Sequence, residues 1–503
     1  MNERLTKTES IVFSPGFGEY FREIIEMASE RKIPFQFVNG SFLQLGYGKN
    51  SRILAFDSRH QTFSVNDFQT PSFANAAELF DWLYPNFVED RIPLISVTGT
   101  NGKTTVARMI AHIFSEVGKC VGMTTTDGAW TGGAQVEKED STNSNSAQKV
   151  LFDQNVEIAV LETPRDEIIQ AGLGYEQSDV AVITNIQPDY FGQDGIEKTS
   201  DILQRKLFVA ERVRRDGTLV LNADDELLTR VENDPRIKSV SRNIIYFSLK
   251  PNHITLKRHT LAGGRAYTVR NDWLVEVTRM SETPIIEIKK IPATLDGFAE
   301  FNVANALAAV AVCRAQNLSI EEIAVALNSF HAEQHNPGRA NLYEVDGAYI
   351  LLDRAHNPDA FKSICKMVSK WDDGEQRRIT GIITIPGDRA NSLVMQAGRI
   401  VAKAFHRIVI RENDNLCGRA GGEIAQILLY AAKDEAPTCD CQIVSDESEA
   451  FRREITRLQP GDILICFYEN YDLVRGILSR CDAQPANHVN AAFERSFYNF
   501  RHA

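Results

Sequence analysis

From Ile92 onward the chain alternates two patterns: unbroken apolar runs of strand length, and stretches whose apolar residues return every three or four positions. The runs are IPLISVT, VEIAVLE, DVAVITN and GTLVLNADD, with helical periodicity from Thr104 and again at DEIIQAG. Strands apolar on both faces, alternating with helices, predict a parallel sheet covered on both sides, the doubly wound α/β arrangement. Between about Ser248 and Pro292 the pattern shifts to short polar strands around a turn at Ala262, Gly263 and Gly264, which predicts an antiparallel insertion. A helix-rich stretch from Asn302 to Ala332 closes the unit. A second alternation follows with AYILLD, RITGIIT, HRIVIRE and GDILICF, helices starting near Asp359, Asn391, Gly422 and Ser448, and predicts a smaller α/β domain. Ahead of both, a helical pattern around Tyr20 to Ser29 and the short runs of FVNGSFLQLGYGKNSRILAFDS predict a small α+β segment. The expected division is 1–78, 79–340 and 341–482, with a tail 483–503 of no assignable role.

Composition narrows the classes of function. A chain of 503 residues with 43% hydrophobic and 24% charged positions has material for two to four folded domains. Its 55 Lys and Arg against 67 Asp and Glu, net −12, and the lack of a basic block exclude a nucleic-acid surface but leave room for one phosphate pocket. The eight cysteines are scattered without metal-ligand spacing, so reduced thiols are expected. The N-terminal MNERLTKTES has no apolar signal core, and no apolar stretch reaches the ~20 residues of a spanning helix, so the expected location is the cytoplasm, with no membrane partner.

The strongest chemical signal is ISVTGTNGKTTVARMIAHIF, in which Gly99, Thr100, Asn101, Gly102, Lys103, Thr104 and Thr105 lie between an apolar strand and an amphipathic helix. Glycines there let backbone N–H groups turn onto phosphate oxygens, the helix N-terminus adds positive potential, Lys103 reaches outer phosphates and the Thr104 hydroxyl can ligate Mg²⁺. A nucleotide is the natural ligand. The longer form of this loop has Gly five residues before Gly102; Val97 stands there, so this is the shorter G-T-N-G-K-T-T variant.

The loop, together with VGMTTTDGAW, VAVITNIQPDYFG, GTLVLNADDELL, NPGRANLYEVDG, LLDRAHNPDAF and IPGDR in that order, resembles the Mur ligase superfamily, most of all the Mur ligase-like C-terminal half of the cyanophycin synthetases. The resemblance covers roughly residues 79 to 475. It implies a phosphate-loop central domain, a Rossmann-like C-terminal domain, and an ATP- and Mg²⁺-dependent ligase that joins a small-molecule carboxylate to an amine through an acyl phosphate. Under it, Lys103 and Thr104 hold phosphate and metal, and Glu162, at the carboxyl edge of the sheet, ligates Mg²⁺; otherwise it is an ordinary strand-end carboxylate. Lys206 matches a position that many Mur ligases carbamylate for a second metal, although a helix lysine is commonly just solvated. Asn302 and Asn305 match adenine contacts or are helix caps. Arg339 and Asp353 match residues that grip phosphates and nucleoside on closure, Arg339 being otherwise a turn arginine. His356 orients phosphate or substrate, or is structural.

The departures are equally specific. Asp189 is followed by Tyr190 where the resemblance implies histidine, and a phenol is a poor metal ligand. Pro164, Arg165, Asp166 and Glu167 add bulk and charge after Glu162–Thr163, and Arg354 replaces an aromatic or small residue. A ligase with a different acceptor or amine is expected, acting on an amino acid or short peptide. The alternatives are a nucleotide-binding but catalytically silent scaffold and a folylpolyglutamate-synthase-like ligase. PFQFVNGSFLQLGYGKNSRIL and NAAELFDWLYPN resemble the passages that enter and leave the ATP-grasp module of cyanophycin synthetases, yet the stretch between them is shorter than any domain, so that first activity is expected to be missing. The sequence is compatible with a homo-oligomer.

Overall fold

The computed structural model describes residues 17–38, 42–57, 62–65, 68–69, 73, 75–85, 91–164, 172–371 and 377–486. Among them the strands form three sheets, of five, eleven and seven strands. Residues 165–171, which hold Arg165, Asp166, Glu167 and all of the DEIIQAG pattern but its glycine, lie outside the described residues, as does the tail beyond 486.

The eleven-stranded sheet is built around seven parallel strands in the spatial order Arg265–Arg270, Asn243–Ser248, Val213–Asn222, Ser178–Ile183, Leu94–Thr98, Ile158–Glu162 and Val121–Thr125. Leu94–Thr98 and Ile158–Glu162 are buried throughout, which is why both read as unbroken apolar runs. The expected antiparallel insertion is instead a continuation of this sheet. Arg265–Arg270 pairs parallel with Asn243–Ser248, and only Trp273–Val277 and Glu282–Glu287 then turn antiparallel at the edge. A second hairpin, Gly128–Thr131 with Ala134–Glu137, extends the opposite edge. Two helices, Lys103–Glu116 and the alanine-rich Glu300–Ala315, cover one face, where small side chains let helix and sheet approach closely.

The seven-stranded sheet has five parallel strands in the order Asp440–Ile443, Arg407–Ile410, Ile379–Ile383, Ile463–Phe467 and Ala348–Asp353. Antiparallel Asn341–Val345 and Gln484–Ala486 complete it, so the start of the expected tail is a strand of this sheet. The five-stranded sheet is antiparallel and forms a small core with the helices Phe17–Glu30 and Ala76–Leu83; Leu79, Phe80 and Leu83 of the second helix belong to that core. It docks on the central domain through Gln44, whose Nε2 donates to the Phe152 carbonyl at 2.7 Å, and through an edge-to-face contact of Tyr47 with Phe152. All eight cysteines are free, and no described helix is long and apolar enough to cross a membrane.

Candidate functional site

The chain runs from Leu94–Thr98 towards one edge of the sheet, to Val121–Thr125, and from its neighbour Ser178–Ile183 towards the other, to Val213–Asn222, so the crevice between these two strands is the switch point at which open α/β sheets gather ligands at their carboxyl ends. The chain leaves Leu94–Thr98 through Gly99 at φ 146° and Gly102 at φ 87°, backbone states that side chains resist. At Gly99 a Cβ would lie 1.8 Å from Thr184 Oγ1 and 3.1 Å from the Thr184 nitrogen. Gly99→Ala is therefore expected to destabilise the central domain by about 1–3 kcal/mol, read as a lower thermal midpoint; an unchanged midpoint would show the loop to be unstrained.

The next strand holds the loop in place. Thr100 N–H donates to the Asn185 carbonyl and Asn101 N–H to Asn185 Oδ1, both at 2.9 Å, while Thr184 Oγ1 donates to the Asn101 carbonyl at 2.6 Å. Lys103 Nζ folds back on the Thr100 carbonyl at 3.0 Å, so the ammonium sits within the loop. The Thr104 hydroxyl donates to Glu162 Oε2 at 2.9 Å, and Thr126 N–H donates to the same oxygen at 3.2 Å. Glu162 is 2% exposed, and its other oxygen, Oε1, is buried without a hydrogen-bond partner among the described residues. Burial raises its carboxyl above the ordinary range against the pull of Lys103 and Arg339. A buried carboxylate oxygen beside a threonine hydroxyl and a lysine fits a divalent ion shared with a phosphate, since Mg²⁺ takes few protein ligands when a nucleotide supplies the rest. The ordinary strand-end alternative leaves Oε1 unexplained.

The C-terminal domain contributes the opposite wall. Arg339 Nη2 reaches Thr104 Oγ1 at 3.4 Å, Thr126 Oγ1 at 3.3 Å and Asp127 Oδ2 at 3.1 Å. Its neighbour Gly338, at φ 77°, gives its carbonyl to the Tyr468 hydroxyl at 2.9 Å. Asn357 caps the helix Pro358–Ser369 and donates across the domain boundary to Asn101 Oδ1 at 2.9 Å. Thr105 accepts from Asn336 at 3.2 Å. His356 lines the same cleft; its Nδ1 donates to the Arg354 carbonyl at 3.0 Å, leaving the lone pair on Nε2, and burial keeps the ring neutral at pH 7 despite nearby Asp189.

Asp353 accepts from Ala340 N–H at 2.8 Å, and burial raises its carboxyl to about 6 against the pull of Arg339. In the role that the resemblance implies, the oxygen not bound to Ala340 N–H would accept from a nucleoside hydroxyl, most strongly when the carboxyl is ionised. ADP affinity is therefore expected to weaken as the pH falls through about 6, and Asp353→Asn to lose that dependence, measured by calorimetry over the range; a wild-type affinity flat through this pH rejects the role.

Asn302 and Asn305 cap nothing: the helix Glu300–Ala315 has Ala299 at its N-cap. Asn302 Nδ2 donates to the Ala293 carbonyl at 2.7 Å, Asn305 Nδ2 donates to Asn302 Oδ1 at 3.1 Å, and both line the cleft. Lys206 is not a solvated helix lysine. It is 3% exposed and donates to the Gly99 carbonyl at 2.7 Å.

Three residues join the site without a role assigned from sequence. Asp127 receives Arg108 at 2.9 Å, Arg339 at 3.1 Å and Arg354 at 2.7 Å. Burial favours its neutral form, but the three guanidinium groups outweigh it and hold the carboxyl below its ordinary range. Arg354, a departure in the sequence, is thus an ion-pair partner across the cleft. Arg389 of IPGDR pairs with Asp189 at 2.6 Å. The signal for each was a charged residue inside a quoted motif. All these walls enclose one cleft of about 540 Å³.

A parallel sheet with a glycine–lysine–threonine loop at its carboxyl edge, faced by a second α/β domain that lends an arginine, defines a phosphate-loop fold with its cleft between two α/β domains. The chain matches the Mur ligase middle domain over residues 97–313 and the Mur ligase glutamate ligase domain over residues 338–467. It belongs to the Mur ligase superfamily. It is 34% identical over 406 residues to the cyanophycin synthetase of Crocosphaera subtropica, an alignment covering 80% of this chain and 46% of that protein. The chain thus spans less than half the length of this relative. It is 26% identical over 478 residues to the UDP-N-acetylmuramoyl-L-alanyl-D-glutamate--2,6-diaminopimelate ligase of Prochlorococcus marinus, covering 91% of this chain and 85% of that one. Among solved structures, E. coli FolC with DHPP and ADP shares the fold at TM-score 0.55 and 16% identity, over 78% of this chain and 88% of that chain.

Proposed function

We propose that the protein is an ATP-dependent carboxylate–amine ligase acting on an amino acid or short peptide. The observation that supports this best is the meeting of Lys103, Thr104 and Glu162 with Arg339, Asp353 and His356 on one cleft, with Glu162 Oε1 buried and unpartnered among the described residues. In this reading a carboxylate oxygen attacks the γ-phosphorus of ATP, ADP leaves, and the acyl phosphate is opened by an amine that expels phosphate and forms the amide.

The chain's contribution is positioning and charge. Lys103 and the loop N–H groups hold the outer phosphates, while Arg339 completes their neutralisation from the far wall. Asn302 and Asn305 face the base, and Asp353 takes nucleoside hydroxyls. Glu162 and the Thr104 hydroxyl hold Mg²⁺, whose chemistry is to neutralise charge on the phosphates. His356, neutral with its lone pair on Nε2, accepts a hydrogen bond from the amine, which must attack uncharged. The N-terminal passages support a protein that performs one ligation rather than two.

The test is incubation of the purified chain with ATP, Mg²⁺ and panels of carboxylates and amines, following ADP, phosphate and coupled product by mass spectrometry. No product anywhere, with wild type and Lys103→Ala alike, sinks the proposal. Lys103-dependent ATP binding without turnover points to the silent scaffold, and strict dependence on glutamate to the folylpolyglutamate-like ligase.

A further inference from the structure

The loop after Ser178–Ile183 grips one turn of the C-terminal domain. Arg389 Nε lies 2.6 Å from Asp189 Oδ1, with the side chains 4% and 3% exposed. Its guanidinium carbon stands 3.9 Å from the centre of the Tyr190 ring, and Tyr190 takes φ 55°, a left-handed state that bulky residues avoid. Gln193 donates its side-chain amide to the Asp388 carbonyl. On the other side of the phosphate loop, the buried Lys206 ammonium donates to the Gly99 carbonyl.

A second divalent ion at this place does not fit these groups. Asp189 has given its charge to Arg389, whose guanidinium is permanently protonated. Tyr190 offers a neutral phenol whose ring face is covered by that same guanidinium. An ammonium at Lys206 has no lone pair to ligate with. The cation at this wall is already present, and it is part of the chain.

We propose that the protein binds a single divalent ion with its nucleotide, and that Arg389 is the fixed cation that stands in place of a second ion, with Lys206 remaining an unmodified ammonium that braces the phosphate loop. The inference rests on the ligase reading and deepens it. A metal ion would enter from solution independently of the fold. Arg389 arrives on the C-terminal domain, so this charge is in place only when the two domains meet. Arg389, Tyr190 and His356 line the cleft that holds Lys103 and Glu162, and His356 senses both Asp189 and Arg389.

Three measurements on the full chain test it. Mn²⁺ titration by electron paramagnetic resonance, with saturating non-hydrolysable ATP analogue, is expected to count one bound ion per chain. Two ions overturn the inference, whereas none removes the metal from the ligase reading itself. Carbon-13 resonance in labelled bicarbonate is expected to show no lysine carbamate; a carbamate signal that disappears in Lys206→Arg overturns the assignment. In the double variant Arg389→Met, Tyr190→His, Asp189 is released beside an imidazole, and the Mn²⁺ count is expected to rise to two. A folded double variant that still counts one shows that Arg389 and Tyr190 are not what excludes the second ion, and also overturns the inference. The first two measurements use wild type and hold even if the double variant does not fold.

Discussion

Lys103→Ala is expected to lower ATP-dependent turnover by about 10²–10³-fold, the usual effect of removing one preorganised charge from a dry site, while leaving the far-ultraviolet circular dichroism unchanged. The Nζ bonds only a loop carbonyl in the described structure, so its removal leaves the sheet intact. What is lost is the positive charge that faces the outer phosphates, together with its attraction for Glu162. Turnover within threefold of wild type would mean that the lysine is a loop brace and that catalysis lies elsewhere.

Glu162→Gln should move stability and activity in opposite directions. The carboxylate is buried with one oxygen unpartnered among the described residues, a state whose desolvation costs about 1–3 kcal/mol. An amide keeps an acceptor for Thr104 and Thr126 and removes the charge. The thermal midpoint of the nucleotide-free protein is therefore expected to rise by about 2–4 °C, while Mg²⁺-dependent turnover falls by about 10²-fold or more. A variant that is less stable and equally active would make Glu162 a structural carboxylate.

The phosphate loop was legible because its parts are consecutive: seven residues between one strand and one helix carry the whole geometry. Glu162 was legible for a related reason, since it ends an apolar run and must emerge at the sheet edge. Asp127 was not, because an aspartate in a turn acquires meaning only when Arg339 and Arg354 arrive from 212 and 227 residues downstream. The pairing of Asp189 with Arg389 has the same character. Lys206 carried a readable sign: on the helix Thr199–Glu211 it falls on the stripe of Ile202, Leu203, Leu207 and Ala210, where a solvated lysine does not belong. In the fold, the edge strand Asp440–Ile443 escaped notice because its half-exposed DCQI shows no apolar run. The polar strands after Ser248 were read as antiparallel, but periodicity could not show that they continue the main sheet.

Asp127 carries a further consequence. Three guanidinium groups converge on one carboxylate, and Arg108, 5% exposed, is pushed down in pKa first by burial and, among the nearby charges, by Arg339. Burial rather than repulsion is the main cost to Arg108, and Asp127 is the anionic pivot on which guanidinium groups from both domains meet, inside a chain whose total charge is −12. In the proposed reaction the phosphates of ATP would give these same guanidinium groups a second anionic partner, so nucleotide binding and the meeting of the two domains would favour one another.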